Sequence, residues 1–246
     1  FNFNIKPLDV NTSGTVWEIS PDGKTLIQPL TSVKGLGEAA IAQILDNRPF
    51  ENIEEFIFNE DIVYSKLNKK AIDVLIRSQA LNDLMDERFT GLKHFWSSII
   101  IERPKTKKKL NEKILEYAAE GDFSKEEKIE YLSSLTGVFP LDMILSDDTR
   151  SKLENQCIPS ISEYDPDVPV CWFIAREIIK KTSKNGRDYL VVNVIDDTSK
   201  ATTIRCWNVK PGDNVQLNKP YMAKLKYDPN WGFSTYSIKH SFRVLP

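Results

Sequence analysis

Ser32-Val33-Lys34-Gly35-Leu36-Gly37-Glu38-Ala39-Ala40 is the stretch on which the reading of this chain turns. Two glycines bracket one apolar residue, a lysine precedes them and a helix-forming run follows. Glycine takes positive φ and lets another surface approach the backbone closely, which a residue with a Cβ resists. From Glu38 to Asn47, residues Ala40, Ile41, Ile44 and Leu45 fall on one apolar face, which predicts a helix. A turn of this kind aims free backbone N–H groups and the positive end of a helix dipole at one point, and Lys34 adds a charge there. That is the chemistry of a phosphate site. Taken alone, Gly-x-Gly before a helix is more often a tight turn without a ligand, so the flanks decide.

On the N-terminal side, Pro29 to Val33 reads as a short first helix with proline near its start. On the other side, Arg48-Pro49-Phe50 breaks the chain, Asn52 opens a helix over Ile53 to Phe58, and Asn68 caps one over Lys69 to Ser78. A compact helical unit around a Gly turn suits a helix-hairpin-helix module that grips a nucleic-acid backbone without reading bases. Lys34, Gly35, Leu36 and Gly37 are its candidate contacts. Lys69 and Lys70, with Lys66 nearby, form a second candidate contact at a helix start, where basic residues work against the helix dipole and so point to an anionic partner. The plainer reading is a solvated helix face.

The 246 residues suggest one or two domains, and 41% apolar with 28% charged residues is an ordinary globular composition. No apolar run approaches the roughly 20 residues that span a bilayer, so no membrane partner is expected. Phe1 in place of Met reads as the start of an internal piece or a processed product. Cys157, Cys171 and Cys206 are odd in number and widely spaced, which argues against a disulfide framework or zinc ribbon and for a cytoplasmic setting. His94 and His240 lack partners at ligand spacing and read as surface or packing residues, so no metal ligand is assigned. Residues 170–246 hold 13 Lys/Arg and 6 Asp/Glu, while residues 1–169 hold 20 and 29. An acidic front and a basic back suggest two bodies, the second attracting phosphates.

Residues 1–28, beginning with the alternation Phe1-Asn2-Phe3-Asn4-Ile5, read as short extended segments and turns. Residues 89–168 read as a helical connector. It has an apolar-aromatic helix over 89–101, a lysine loop at Lys107-Lys108-Lys109, helices over 110–119 and 125–135, and a proline-containing linker over 146–168. Residues 169–246 read as all-β, with strands at 170–179, 188–195, 201–207, 221–227 and 233–244 and turns at 182–187, 196–199, 210–213 and 228–232. Five strands in about 75 residues match an OB-type barrel. Aromatics (Trp172, Tyr189, Trp207, Tyr227, Trp231) alternate with cations (Arg176, Lys180, Lys181, Lys184, Arg187, Arg205), the composition that holds single strands by stacking and backbone attraction. Period-2 alternation must send some rings inward. Arg176, Lys181, Lys184, Arg187, Tyr189 and Trp207 are the named candidates. The fold class expected is therefore α+β and multidomain: a helix-hairpin-helix module over 1–88, a helical connector over 89–168 and a five-stranded OB-type barrel over 169–246.

Several segments, in order, resemble the C-terminal half of the bacterial-type DNA polymerase III alpha subunit, the family C replicative polymerases. Ile5 to Ser13 is similar to the family's LPPDINxS, Leu30 to Ala40 to its IKGVGExA and Pro49 to Phe56 to its PFxSLxDF. Leu67 to Ile76 is similar to xNKRxLExLI, Tyr131-Leu132-Ser133 with Phe139 to Asp142 to YLSGHPLD, and Thr182 to Ser199 to a run in its OB domain. The family's GAFD is Gln79-Ala80-Leu81-Asn82 here, GHP is Gly137-Val138-Phe139-Pro140, and its clamp-binding peptide has no clear copy in 89–130. Such departures suit a divergent member, as a bacteriophage or plasmid would carry.

The resemblance implies a DNA-binding polymerase tail, with primer–template duplex and single-stranded template as partners and a sliding clamp or other replisome proteins beside them. It places the polymerase chemistry, with its magnesium ions, upstream, and implies neither catalytic residue nor cofactor in this segment. The alternatives are a stand-alone single- or double-strand binding protein, a replisome protein-interaction module, and a DNA ligase. The ligase is disfavoured by the order of the modules and the missing four-cysteine site.

Overall fold

The computed structural model describes residues 4–198, 200–210 and 212–245. Phe1–Phe3, and Ser199 and Pro211 of two predicted turns, lie outside the described residues. The chain forms two compact units, Phe1–Phe139 and Pro140–Pro246.

The first unit opens on a small sheet of β1 (Asn4–Lys6), β2 (Glu18–Ile19) and β3 (Thr25–Ile27), in the order β1-β3-β2 with β1 parallel to β3. The Pro21-Asp22-Gly23 turn closes as the sequence predicts. Asp22 accepts from the Lys24 and Thr25 N–H groups and from the Ser20 and Thr25 hydroxyls, which together hold its carboxyl down to about 2. The predicted first helix is a single 3₁₀ turn, Leu30–Ser32, and α1 follows over Glu38–Asn47. Then come α2 (Ile53–Phe58) and α3 (Lys69–Arg77), opened by Asn52 and Asn68, whose side chains accept from Glu55 N–H and Ala71 N–H. Such caps satisfy donors that a helix start otherwise leaves free.

Residues 89–136 share this unit's hydrophobic core. The aromatic helix is shorter than predicted: α4 (Leu92–Trp96) begins after Gly91 and runs into a π turn, Ser97–Ile101. Gly91 is needed because a Cβ there would stand 2.7 Å from the Gly121 carbonyl oxygen and from Asp122 Cβ. The lysine run is not a loop. Thr106 caps Lys109 N–H, so Lys107, Lys108 and Lys109 form the first turn of α5 (Lys107–Glu116), where Lys107 pairs with Glu54 and Lys109 with Glu112. α6 (Lys125–Thr136) opens with a capping box of Ser124 and Glu127 and ends at Gly137, φ +70°. His94 is wholly buried. Its Nδ1 accepts from Thr90 N–H, so the proton sits on Nε2, which donates to the Ile114 carbonyl at 2.8 Å. It is a packing residue, as one of the two sequence readings has it.

In the second unit the predicted linker is structured. α7 (Leu141–Ile144) and α8 (Asp147–Asn155, capped by Ser146) precede a 3₁₀ turn at Ile161–Glu163. Ile161 lies in the core of the sheet, and Tyr164 donates its hydroxyl to the Leu225 carbonyl. Its polar composition hid a few apolar anchors. This segment also moves the charge boundary. Pro140–Pro246 holds 15 Lys/Arg and 13 Asp/Glu, so the unit is nearly neutral although its strands are basic.

The sheet that follows is strongly curled, a half-barrel of seven strands where five are predicted. They are β4 (Val170–Thr182), β5 (Asp188–Ile195), β6 (Thr202–Cys206), β7 (Pro220–Lys224), β8 (Lys226–Asp228), β9 (Gly232–Thr235) and β10 (Phe242–Val244), in the order β10-β7-β4-β5-β6-β9-β8. The extra strands are fragments of predicted ones. Leu225 N–H donates to the Pro169 carbonyl in register with the β4–β7 ladder, and from Lys226 the chain pairs with β9 instead, which divides one strand into β7 and β8. The helical turn α9 (Ile238–Ser241) divides another into β9 and β10. Because β7 and β8 are consecutive in the chain yet sit at opposite ends of the β7-to-β8 ladder, the ladder returns toward its start. β4, β5 and β6 form an antiparallel meander and β6 pairs parallel with β9, the partly open Greek-key arrangement of an OB-type barrel. The interior takes Phe173, Val192, Val194, Ile204 and Tyr221, with Cys171 and Cys206, whose thiols burial pushes up to about 12.

Candidate nucleic-acid interface

In the first unit the hairpin is built on one strained residue. Gly35 has φ +89°, a conformation side chains resist, whereas Gly37 has φ −80° and ψ 158° and is the N-cap of α1. The sequence expectation that both glycines take positive φ therefore holds for Gly35 alone. Leu36, between them, is buried, so this candidate contributes only backbone. Lys34 N–H donates to the Leu135 carbonyl at 2.7 Å, and Leu36 N–H to that of Val33 at 3.2 Å. These bonds pin the turn and leave the N–H groups of Gly35, Gly37, Glu38 and Ala39 without an acceptor among the described residues. Four donors at the positive end of a ten-residue helix are what an anionic oxygen binds.

α3 supplies the cations. A Cβ on Gly35 would lie 3.5 Å from Val74 Cγ1 and 3.8 Å from Lys70 Cε, so the Lys70 stem runs against the turn. Lys34 and Lys70 are exposed and carry no ion pair among the described residues. Lys69 reaches the other way, its Nζ 3.3 Å from the Ile101 carbonyl, so it stands at the edge of this group. Glu38, in the first turn of α1, is the local charge that opposes an anion. Asp73, one turn along α3, is engaged by Arg77 at 2.9 Å and by Trp96 Nε1 at 2.6 Å.

In the second unit the register decides which candidates meet. Lys181 lies opposite Tyr189 across β4 and β5, and Leu190 opposite Cys206 across β5 and β6, so Tyr189 stands beside Trp207. Their rings stack with centroids 4.6 Å apart at 29°. Cys206 pairs with Thr235 and Trp207 N–H donates to the Thr235 carbonyl, which brings Tyr236, 73% exposed, to the far side of Trp207. The outward row is thus Lys181, Tyr189, Trp207, Tyr236. Arg205, two residues before Trp207 and on the same face, donates to the carbonyl of Trp231, itself 70% exposed at the tip of the β8–β9 turn. Lys184 and Arg187 stand exposed in the β4–β5 turn, closed by Ser183 N–H to the Arg187 carbonyl at 2.8 Å and by Gly186 at φ +72°.

Not every candidate joins this face. Arg176 falls in a β-bulge between Ala175 and Glu177, where it donates to Asn218 Oδ1, and burial lowers its pKa. Trp172 is buried although it alternates with the interior residues Cys171 and Phe173 and so lies on the opposite face of β4, and Lys180 pairs with Asp188 at 2.7 Å. Tyr227 turns toward Tyr164 and Phe233. Sequence reasoning missed Tyr236. Its signal was present, because Thr235 reads inward and its neighbour must then face out.

Among the described residues no three or more His, Cys, Asp or Glu side chains gather in a group that could hold a metal ion. No helix among them is long and apolar enough to cross a membrane. Compared with known proteins, residues 2–91 match the helix-hairpin-helix motif family, in a form found in Pol III alpha-type polymerases. The match coincides with the hairpin, α1, α2 and α3, and it suggests DNA as the partner. No curated protein matches the chain.

Proposed function

We propose that this chain is the DNA-holding C-terminal part of a replicative polymerase of the Pol III alpha type, gripping duplex backbone at the hairpin and single-stranded template on the curled sheet. The observation that carries the reading is the turn at Gly35–Ala39. Four N–H groups without an acceptor among the described residues lie with Lys34 and Lys70 inside a matched helix-hairpin-helix motif. Such a grip touches phosphates and leaves bases unread, which suits a protein that must move along any sequence. The aromatic row on the sheet supports the second half, since bases stack on rings regardless of identity while cations follow the backbone. Polymerase chemistry and its magnesium belong, on this reading, to a part of the protein preceding these residues, and a sliding clamp or other replisome proteins are its neighbours.

The test is fluorescence anisotropy with labelled duplex, primer–template and single-stranded DNA across a salt series. Lys34→Ala is expected to weaken duplex binding equally for all sequences and to lower the slope of log K against log salt by about one. Lys184→Ala with Arg187→Ala is expected to do the same for single strands. No binding at low salt, or variants indistinguishable from wild type, would overturn the assignment.

A further inference from the structure

The outward face of the curled sheet carries a polar row that stacking does not explain. Across β4, β5 and β6 the register sets Glu177 opposite Asn193 and Asn193 opposite Thr203. Each lies four residues along its strand from Lys181, Tyr189 or Trp207, so the polar and aromatic rows share one face, about 13 Å apart. The alternate residues Ile178, Val192 and Ile204 pack on the core, which fixes the polar row as outward. Asn193 Nδ2 donates to Glu177 Oε2 at 2.7 Å, and the Thr203 hydroxyl donates to Asn193 Oδ1 at 3.1 Å. An ionised carboxylate only accepts, so Glu177 sets the direction of the whole chain of bonds. Glu177 is exposed, makes no ion pair among the described residues, and keeps Oε1 for another donor. Asn193 keeps one N–H. Between the rows, Ile179 and Val191 form an apolar floor, and Arg205 is drawn off to the Trp231 carbonyl. A carboxylate held on this face repels phosphate, so it suits the edge of a base that donates.

We propose that Glu177, oriented by Asn193 and Thr203, reads one base of a bound single strand and favours guanine. The inference rests on the single-strand reading of the sheet and extends it from stacking, which accepts any base, to a preference at one position. Guanine alone among the DNA bases sets two donors side by side, N1–H and the N2 amino group, with the acceptor O6 next to them. Oε1 takes one donor, and Oε2 keeps a lone pair beside its bond from Asn193 for the other. The remaining Asn193 N–H is the donor for O6. Cytosine and adenine offer one amino group beside an acceptor nitrogen, so one carboxylate oxygen gains no donor. Thymine places its single N3–H between two carbonyl oxygens, which the carboxylate repels. A base resting on Ile179 and Val191 has the aromatic row on one side and this carboxylate on the other.

The test is anisotropy on the full chain with four labelled single strands of one length: oligo-dT and alternating guanine–thymine, cytosine–thymine and adenine–cytosine. The guanine strand is expected to bind about tenfold more tightly than oligo-dT, the scale of one bidentate contact to a base. Glu177→Gln keeps the shape but replaces one acceptor by a donor, so it should remove most of that preference while oligo-dT still binds. Asn193→Ala leaves the carboxylate unheld and should lower the preference in the same direction. If the wild type binds all four strands alike, the guanine reading is refuted and the single-strand reading survives. If Glu177→Gln tightens all four by one factor and steepens the salt dependence, Glu177 only repels the backbone and the reading is again refuted. If the preference persists in Glu177→Gln but vanishes in Trp207→Ala, stacking strength is its source and Glu177 has no part in it. Failure of the wild-type chain to bind any single strand overturns both readings.

Discussion

The two hairpin glycines look equivalent in sequence, and the structure predicts opposite behaviour for them. At Gly35, φ is +89°, so an alanine must hold a left-handed conformation that costs L-residues roughly 1–2 kcal/mol. Its Cβ would meet Val74 Cγ1 at 3.5 Å and Lys70 Cε at 3.8 Å, ordinary contacts that add no clash. The cost is thus backbone strain alone, about 1–2 kcal/mol, or a fall of roughly 3–8 °C in the unfolding midpoint of a unit this size. At Gly37, φ is −80° and nothing lies within 4 Å of the added Cβ. Alanine there loses a little as an N-cap and gains a little by restricting the unfolded chain, so stability should change by less than about 0.5 kcal/mol. Yet a Cβ beside the free N–H of Gly37 crowds an arriving phosphate, so duplex affinity should fall several-fold in a fully folded protein. Thermal unfolding followed by circular dichroism, paired with duplex binding by anisotropy, separates the two. If Gly37→Ala melts as early as Gly35→Ala, the turn geometry described here is wrong. If Gly37→Ala is stable and binds duplex like wild type, the phosphate does not sit on those N–H groups.

Trp207→Ala removes the centre of the aromatic row, and single-strand affinity should drop about tenfold or more while duplex binding at the hairpin is unchanged; equal loss on both ligands would refute the division of labour. Gly91→Ala keeps an allowed backbone (φ 170°) but drives a Cβ to 2.7 Å from the Gly121 carbonyl, so urea unfolding should show a loss of about 2 kcal/mol, and a neutral result would contradict the close approach. Arg88 bonds Glu54 at 2.9 Å and Asp86 at 2.7 Å between partly exposed side chains, so Arg88→Ala should cost roughly 1–2 kcal/mol at neutral pH. Glu54 is held below its usual 4.5, first by its hydrogen bond from Lys107 and then by Arg88, and Asp86 below 3.8 chiefly by hydrogen bonds from Arg88. Carboxyls depressed on folding lend stability that is full at neutral pH and lost as pH falls through the folded pKa, so the gap between wild type and Arg88→Ala should close as pH falls below the ordinary carboxylate range. A gap independent of pH would show that packing, not charge, sets the cost.

The sequence by itself determined much of what local chemistry governs. The apolar face of α1, the Asn52 and Asn68 caps, the Asp22 turn and the strand periodicity of β4, β5 and β6 were legible because each depends on residues a few positions apart. Two failures were local, the Thr106 cap that makes the lysine run a helix start and the outward place of Tyr236; for the rest the missing information lay at long range. The strand over 221–227 divides because its partner changes from β4 to β9 at Lys226, and α4 starts late because Gly91 meets the 121–122 backbone. The stretch at 146–168 is ordered because Ile161, Tyr164 and Ser162 find partners on the sheet, Ser162 N–H donating to Asp196 Oδ2 at 2.8 Å. The sites divide in the same way. Composition named Tyr189, Trp207 and Arg176 alike, but only cross-strand register could stack the first two, add Tyr236 beside them and turn Arg176 away to Asn218. Tertiary structure decided that Gly35 alone carries the positive φ and that Lys70, 35 positions later in the chain, lies against it. Propensity is a property of neighbours in sequence, whereas a binding face is made by residues that only packing brings together.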